Sequence, residues 1–248
     1  MLRPGNVHGS RFVVLVLRRL LTRLRAAWPE VEIELRADSG FAVPRLYAWC
    51  EAHRVAYTIG LIPNPRLEAL ATPLLAEARA QSAAQAGAKV RLVGETTYQA
   101  GTWPVERRVV FKAEALAKGP NTRFVVTTRT DAPAAVYDWY VDRGEPENWI
   151  KDFKNALRAD HLHDHRFWAN AFRLLLHAAA YWLLDMLRRW LAATVPDDAA
   201  IQFDTLRLRL LKIGGRVREL PSRIRLHLAS SHPGEPLWTA LAALQARS

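Results

Sequence analysis

Sulfur and acid are scarce in this chain. A single cysteine, Cys50, stands among 248 residues, so no disulfide can close within the chain, and the count fits a reducing cytoplasm. Asp and Glu number 24 against 35 Lys and Arg, and no acid precedes Glu30. The resulting charge of +11 favours a polyanionic partner, nucleic acid or an anionic membrane surface. Long hydrophobic runs are missing too. The longest uncharged apolar stretch, Leu174 to Leu184, is interrupted by His177 and is too short to span a bilayer, so no membrane association is expected. The first residues lack the apolar segment and cleavage site of a secretory signal. Repeats at periods of 20–50 residues and low-complexity tracts other than alanine are also lacking.

Half of the residues are hydrophobic, enough for a sizeable core in one large domain or one domain carrying an insertion. Of the 35 basic residues 29 are Arg, which suits bidentate phosphate contact, although a GC-rich genome would enrich Arg and Ala as well.

Periodicity lays out the elements. Leu17, Leu20, Leu21, Leu24 and Trp28 recur at helical spacing, predicting a helix over Phe12 to Trp28 that Pro29 ends. Val31 to Arg36 alternates apolar and charged as a strand does, Pro44 to Ala52 reads as a short helix, and Val55 to Leu61 as a second strand. The three make a β-α-β unit of a parallel sheet. Arg66 to Ala86 is helical, with Pro73 expected to break or kink it. From Val90 to Thr128 the texture turns to strands punctuated at Gly87, Gly94, Gly101 and Gly119-Pro120, and the last of them, around Phe124 to Thr127, is expected to rejoin the main sheet. Helices follow over Ala134 to Arg143, Glu147 to Leu157 and Arg166 to Ala193. The last carries a core stripe of Phe167, Ala171, Leu174, Ala178, Tyr181, Leu184, Leu187 and Leu191. Thr205 to Leu211 reads as helix, and Val217 to Leu228 as a hairpin around Pro221-Ser222.

One stretch carries chemistry. Tyr140, Arg143, Glu147 and Lys154 lie at −7, −4, 0 and +7 from the glutamate, within a narrow arc if one helix spans them. A carboxylate between two cations suits a hard metal beside a polyanion, with Glu147 for the cation and Arg143 and Lys154 for phosphates. A solvated helix with ordinary spaced charges is the plain alternative. A chance match to the spacing somewhere in the chain is on the order of one in a thousand at average residue usage.

That spacing resembles the Tyr-Arg-Glu-Lys signature of DDE transposases from bacterial insertion sequences. RPGN from Arg3, RADSGF around Asp38, RRVVFKAE from Arg107 and the N-x-x-RLLLH-x-x-AY run from Asn170 resemble the same family, and the likeness covers essentially the whole chain. The resemblance implies an α/β, ribonuclease H-like mixed sheet with flanking helices and a β-rich insertion. It implies transposition of DNA by Mg²⁺-dependent strand cleavage and strand transfer, a homodimer in the intact form, and a bacterial, cytoplasmic, nucleoid-associated location. It divides the chain into a first core part (1–61), the insertion (62–122), a second core part with the catalytic Glu (123–195) and a basic C-terminal helix and hairpin (196–248). Glu147 matches the third catalytic carboxylate and Asp38 the second, both as metal ligands, with Tyr140, Arg143 and Lys154 positioning phosphates. Two metal ions held by such acids would activate the attacking oxygen and stabilise the leaving one. In the family RPGN follows the third strand, so the front strands and the first aspartate are expected to be missing. The expectation is an N-terminally truncated transposase, inactive and poorly stable alone. A non-catalytic DNA-binding or inhibitory fragment is the alternative.

Other residues are weighed beside these. In related transposases a tryptophan of the insertion stacks on a flipped base, and Trp103 matches it by position; as a residue beside Pro104 it is more often packing of a hairpin. Arg107, Arg108 and Lys112 form a basic edge, DNA-facing or merely solvated. His161, His163 and His165 could bring zinc but offer no fourth ligand. Cys50 reads as a packing residue, and Arg223, Arg225 and His227 as one basic face of the C-terminal hairpin.

Overall fold

The computed structural model describes residues 2, 7–116, 119–142, 144–194, 201–229 and 231–245. They divide into two compact units, residues 4–144 and, with the first three residues, 145–248.

The first unit is built on one mixed sheet. Strands β1 (Glu34–Ala37), β2 (Ala56–Leu61), β3 (Val90–Tyr98), β4 (Arg107–Leu116) and β5 (Gly119–Thr127) lie in the order β1-β2-β5-β4-β3. β1 and β2 are parallel, joined through helix α2 (Pro44–Ala52). β5 returns antiparallel to β2, with Thr58 opposite Thr127 and Leu61 opposite Phe124, the rejoining that the sequence suggests. β3, β4 and β5 form an antiparallel meander that extends the same sheet. Helix α1 (Val13–Ala27) precedes β1, α3 (Pro65–Ala84) links β2 to β3, and α4 (Pro133–Val141) follows β5.

β4 and β5 bury both faces, as their apolar runs require. Val109, Phe111, Phe124 and Val126 point into the larger core with Leu46, Tyr47, Cys50, Tyr57, Ile59 and Leu67. The alternate residues Val110 and Val125 meet Val136 and Tyr137 of α4. Each large side chain so enclosed contributes roughly 1.5–3 kcal/mol. Burial, with the neighbouring Glu51 carboxylate adding to it, pushes the Cys50 thiol up to about 12, so it packs as a small apolar group.

Two sequence expectations need correction. Pro73 does not break α3, which runs unbroken from Pro65 to Ala84. Ala69, whose carbonyl loses its amide partner, and Pro73 both lie on the exposed face, where water replaces the bond. Gly94 is not a turn but an interior residue of β3. A Cβ there would come within 3.0 Å of Leu74 Cδ2 and 3.1 Å of Phe111 Cζ, so the glycine serves close packing of α3 on the sheet.

Across the larger core, Arg107 on β4 is held by Glu51 of α2 through two bonds of 2.8 and 3.0 Å. The Arg107 hydrogen bond, opposed by burial and aided by Tyr57, holds the Glu51 carboxyl below its ordinary value. A depressed carboxylate contributes stability that is complete above the ordinary value of 4.5 and is lost as the pH falls through the folded value. Thermal melts between neutral pH and pH about 3 should therefore show a falling acid limb that Glu51→Gln flattens. An unchanged limb would remove this pair from the acid response.

The second unit is helical with one hairpin. It comprises α5 (Gly144–Lys151), a π turn over Asp152–Ala156, and α6 (Phe167–Thr194). Then come α7 (Phe203–Leu206), which runs into a second π turn over Arg207–Leu211, the hairpin β6 (Gly215–Leu220) and β7 (Arg223–Leu228), and α8 (Glu235–Gln245). Its core joins Ala156, Leu191, Ile201, Phe203, Leu206, Leu210 and Leu237, with Tyr181, Leu184 and Leu187 of α6 packed against them. Of the expected α6 stripe, the C-terminal half is in this core, whereas Phe167 is 45% exposed. Both faces of the hairpin are open, with Ile224 at 68% exposure on one and Arg225 exposed on the other. Among the described residues no helix is long and apolar enough to cross a membrane.

Candidate functional site

Asp38 follows the last residue of β1, at the carboxyl end of the parallel pair, where open α/β sheets form their ligand crevice. Its backbone is extended, and its Oδ1 accepts the Gly40 amide at 2.9 Å, capping the 3₁₀ turn Ser39–Phe41. The side chain is exposed, and its second oxygen meets no partner among the described residues.

Gly60 of β2 lies beside this turn. A Cβ there would be 2.6 Å from Tyr140 Oη and 3.2 Å from the Ser39 nitrogen. The absence of a side chain at Gly60 lets the Tyr140 phenol, from the end of α4, close against the Asp38 turn. Tyr140 and the turn that Asp38 caps, both singled out in the sequence, thus both border Gly60 at one corner of the sheet although they stand far apart in the chain.

Basic and aromatic groups lie along β1 ahead of that corner, with Arg129 at the amino end of the strand beside Glu34. Arg36, two residues before Asp38, stacks its guanidinium over Trp139 at 4.6 Å and donates to the Trp139 carbonyl. Arg129 lies over the same ring at 4.9 Å and pairs with Glu34 at 2.7 Å and Asp131 at 2.8 Å. Sequence reasoning passed over Arg36, Arg129 and Trp139. The available signal was adjacency, Trp139 beside Tyr140 and Arg36 on the strand of Asp38.

The single helical face drawn from Tyr140 to Lys154 is not formed. α4 ends at Val141, Arg143 lies outside the described residues, and a new helix begins at Gly144. Pro146 falls in the first turn of α5, where its missing amide costs no helical hydrogen bond. Glu147 belongs to α5, but its side chain lies outside the described part of the structure. Lys154 is exposed within the π turn, whose wider winding takes it out of α-helical register with residue 147.

The π turn has a visible cause. Asp152 is drawn into the core, where its Oδ2 accepts from Arg188 at 3.2 Å and its Oδ1 from the Phe203 amide at 3.3 Å. Arg207 caps the Ala156 carbonyl at 2.7 Å. Arg188 also pairs closely with Asp185, which Arg189 holds from outside at 2.8 Å. Against the upward push of burial, these arginines keep the Asp185 carboxyl below its usual range. Beside this network lies a cavity of about 550 Å³ lined by Asn148, Trp149, Asp152, Tyr181, Arg188 and Gln202.

The remaining candidates are engaged within the first unit. Trp103 is 7% exposed and sits edge-on to Tyr47 and Tyr98, with ring centroids 5.3 and 5.6 Å away. Arg107 stacks on Tyr47 and Trp103 at 5.1 and 5.4 Å while paired with Glu51. Arg108 reaches Glu95 at 2.6 Å and the carbonyls of Arg129 and Asp131. Contact with DNA would require each to leave these partners. The His161 and His163 rings lie 5.5 Å apart, yet no three His, Cys, Asp or Glu converge among the described residues. Among the described residues Asp38 is therefore an exposed carboxylate outside any such group. It fits a hard cation that takes few protein oxygens and keeps several waters.

A family model described as transposase DDE domain, group 1, matches residues 1–248. Among curated proteins, none matches the chain.

Proposed function

The chain belongs to the DDE-domain transposase family, and on that premise we propose that it acts on the ends of a bacterial insertion sequence, with Asp38 and Glu147 as two of its metal-ligating carboxylates. Membership implies work on DNA in transposition, and the family typically uses a divalent metal. The metal in this reading is Mg²⁺, which would supply an activated oxygen nucleophile and charge stabilisation on the leaving oxygen. The observation that carries the assignment is the position of Asp38, exposed at the carboxyl end of a parallel strand with one oxygen uncommitted.

Around it this chain's own residues bind and orient. Tyr140 presents its phenol beside the Asp38 turn, within reach of a phosphate approaching that carboxylate. Arg143 and Lys154 neutralise backbone phosphates, as the signature implies. The fold in this reading is ribonuclease H-like, with residues 62–122 as the β-rich insertion.

The test is nicking of supercoiled plasmid carrying the element's ends, with Mg²⁺ and with EDTA. Metal-dependent nicking is the expected result for a form in which a further carboxylate completes the metal site, this chain by itself being expected to be inactive, and retention of end DNA without nicking by the completed form would overturn the reading. Lys154→Ala should weaken DNA binding and flatten its salt dependence by about one unit of slope. An unaltered slope would remove Lys154 from the phosphate contacts.

A second reading, a DNA-binding or inhibitory fragment without catalysis, is favoured by the C-terminal hairpin. Its Arg216, Arg218, Arg223 and Arg225 are all exposed. Such a surface holds DNA through its backbone whether or not a metal site is complete.

A further inference from the structure

Helix α6 has two apolar faces, and its own unit uses one of them. Tyr181, Leu184, Leu187 and Leu191 pack into the core of the second unit. On the opposite side Phe172 (62% exposed), Leu175 (68%), Leu176 (55%), Trp182 (75%), Leu183 (69%) and Met186 (45%) face outward. A helix that is hydrophobic around its circumference is normally enclosed on all sides, and a monomer rarely displays a contiguous apolar patch beyond about 600 Å².

The spacing of this face specifies what fits it. Trp168, Phe172, Leu175, Ala179, Trp182 and Met186 advance by four and three residues alternately. That is the average 3.5-residue step that keeps a seam against another helix. The face is also symmetric about Ala179. Leu175 and Leu183 are four residues to either side, Leu176 and Trp182 three, and Phe172 and Met186 seven. Such a pattern complements itself when a second copy runs antiparallel, because a two-fold axis brings each residue level with its counterpart across the interface. Ala179, small and exposed, would lie at the crossing, where close approach of the two helices needs a small side chain. With about 150–250 Å² for a large apolar side chain laid bare, these residues and Trp168 offer roughly 900 Å² per copy. A stable interface needs about 800 Å² per partner.

We infer that the outer face of α6 is a homodimer interface, in which two copies of this chain pair antiparallel about Ala179. The inference stands on the helix alone and does not depend on the metal-site reading. No charged residue lies in the seam between Arg173 and Asp185, so nothing there has to be desolvated unpaired.

The test uses the full 248-residue chain in sedimentation velocity over a concentration series. The expected result is a species of twice the monomer mass that dissociates on dilution. Leu175→Glu with Leu183→Glu should leave a monomer at every concentration, with circular dichroism and melting temperature close to those of the unaltered monomer. The second measurement is oxidative crosslinking of an equimolar mixture of Leu175→Cys and Leu183→Cys chains, Cys50 being buried. Disulfide heterodimer between the two variants is expected, well above the homodimer that either forms alone. A chain that stays monomeric overturns the inference, as does a dimer that survives both glutamates. Preferential Leu175→Cys homodimer would mean parallel pairing and overturn it too. Loss of the folded state in the double glutamate variant, with mass unchanged in the parent, would mean that the face is covered within one chain.

Discussion

In a form of the protein that nicks DNA, Asp38→Asn is expected to lower Mg²⁺-dependent nicking on the order of a thousandfold, since a metal-centred stabilisation of several kcal/mol depends on that carboxylate and each 1.36 kcal/mol is tenfold. Binding of end DNA should stay within about twofold, because it rests on the backbone contacts of many cations. The asparagine keeps the oxygen that accepts the Gly40 amide, so the turn is preserved and the change isolates the charge. Glu147→Gln should behave alike. A readout independent of turnover is Fe²⁺ substituted for the metal under reducing, oxygenated conditions, where radicals cut the backbone near the ion. Cleavage is expected around residues 38–40 and should vanish with Asp38→Asn. Full nicking by either variant, or cuts at other places that ignore the substitution, would remove these acids from the metal site.

The second large effect concerns stability. Trp103→Ala should destabilise the first unit by about 3–5 kcal/mol, the usual cost of removing a buried aromatic, and lower its melting temperature by about 10 °C at 2–4 °C per kcal/mol for a domain of this size. The indole is enclosed by Tyr47 and Tyr98 and lies under the Arg107 guanidinium. Its loss therefore also strips a stacking partner from a buried cation. Trp103→Phe, which keeps part of the aromatic contact, should recover roughly half of the loss. The role in DNA stacking suggested by its position in the sequence makes the opposite demand. Were the melt unchanged by Trp103→Ala while affinity for end DNA dropped, Trp103 would have to leave its core position to work on DNA.

The two experiments separate a corner that remains open from a cluster that is closed. Asp38 and Trp103 were both singled out in the sequence by position and type. Asp38 ends a strand with a carboxylate facing solvent, whereas Trp103 is locked into a three-ring cluster with its polar neighbour already paired. The same distinction applies to the arginines. Adjacent in sequence, Arg107 and Arg108 point to opposite faces of β4, one into the Glu51 pair and the other onto Glu95, as strand alternation requires.

Local pattern was enough for much of this protein. The β-α-β unit, the helix at Pro44, the strands from Val90 onward and the hairpin around Pro221-Ser222 were all legible, because alternation, caps and turn residues act over a few neighbours. The family was legible too, since the residue types and spacings that resemble it lie along the chain. What only the tertiary structure decided involves partners distant in sequence. Gly94 reads as a turn until Leu74 and Phe111 close over it. Gly60 means nothing until Tyr140 comes to rest on it. Lys154 is in helical register with Glu147 on paper, yet Asp152 is pulled toward Arg188 and Phe203, and the helix widens into a π turn. A sequence lists charges and apolar groups, but whether an arginine is spent on a buried carboxylate or a tryptophan on the core depends on what packing brings beside it. Burial and pairing are properties of the assembled neighbours, not of the residue.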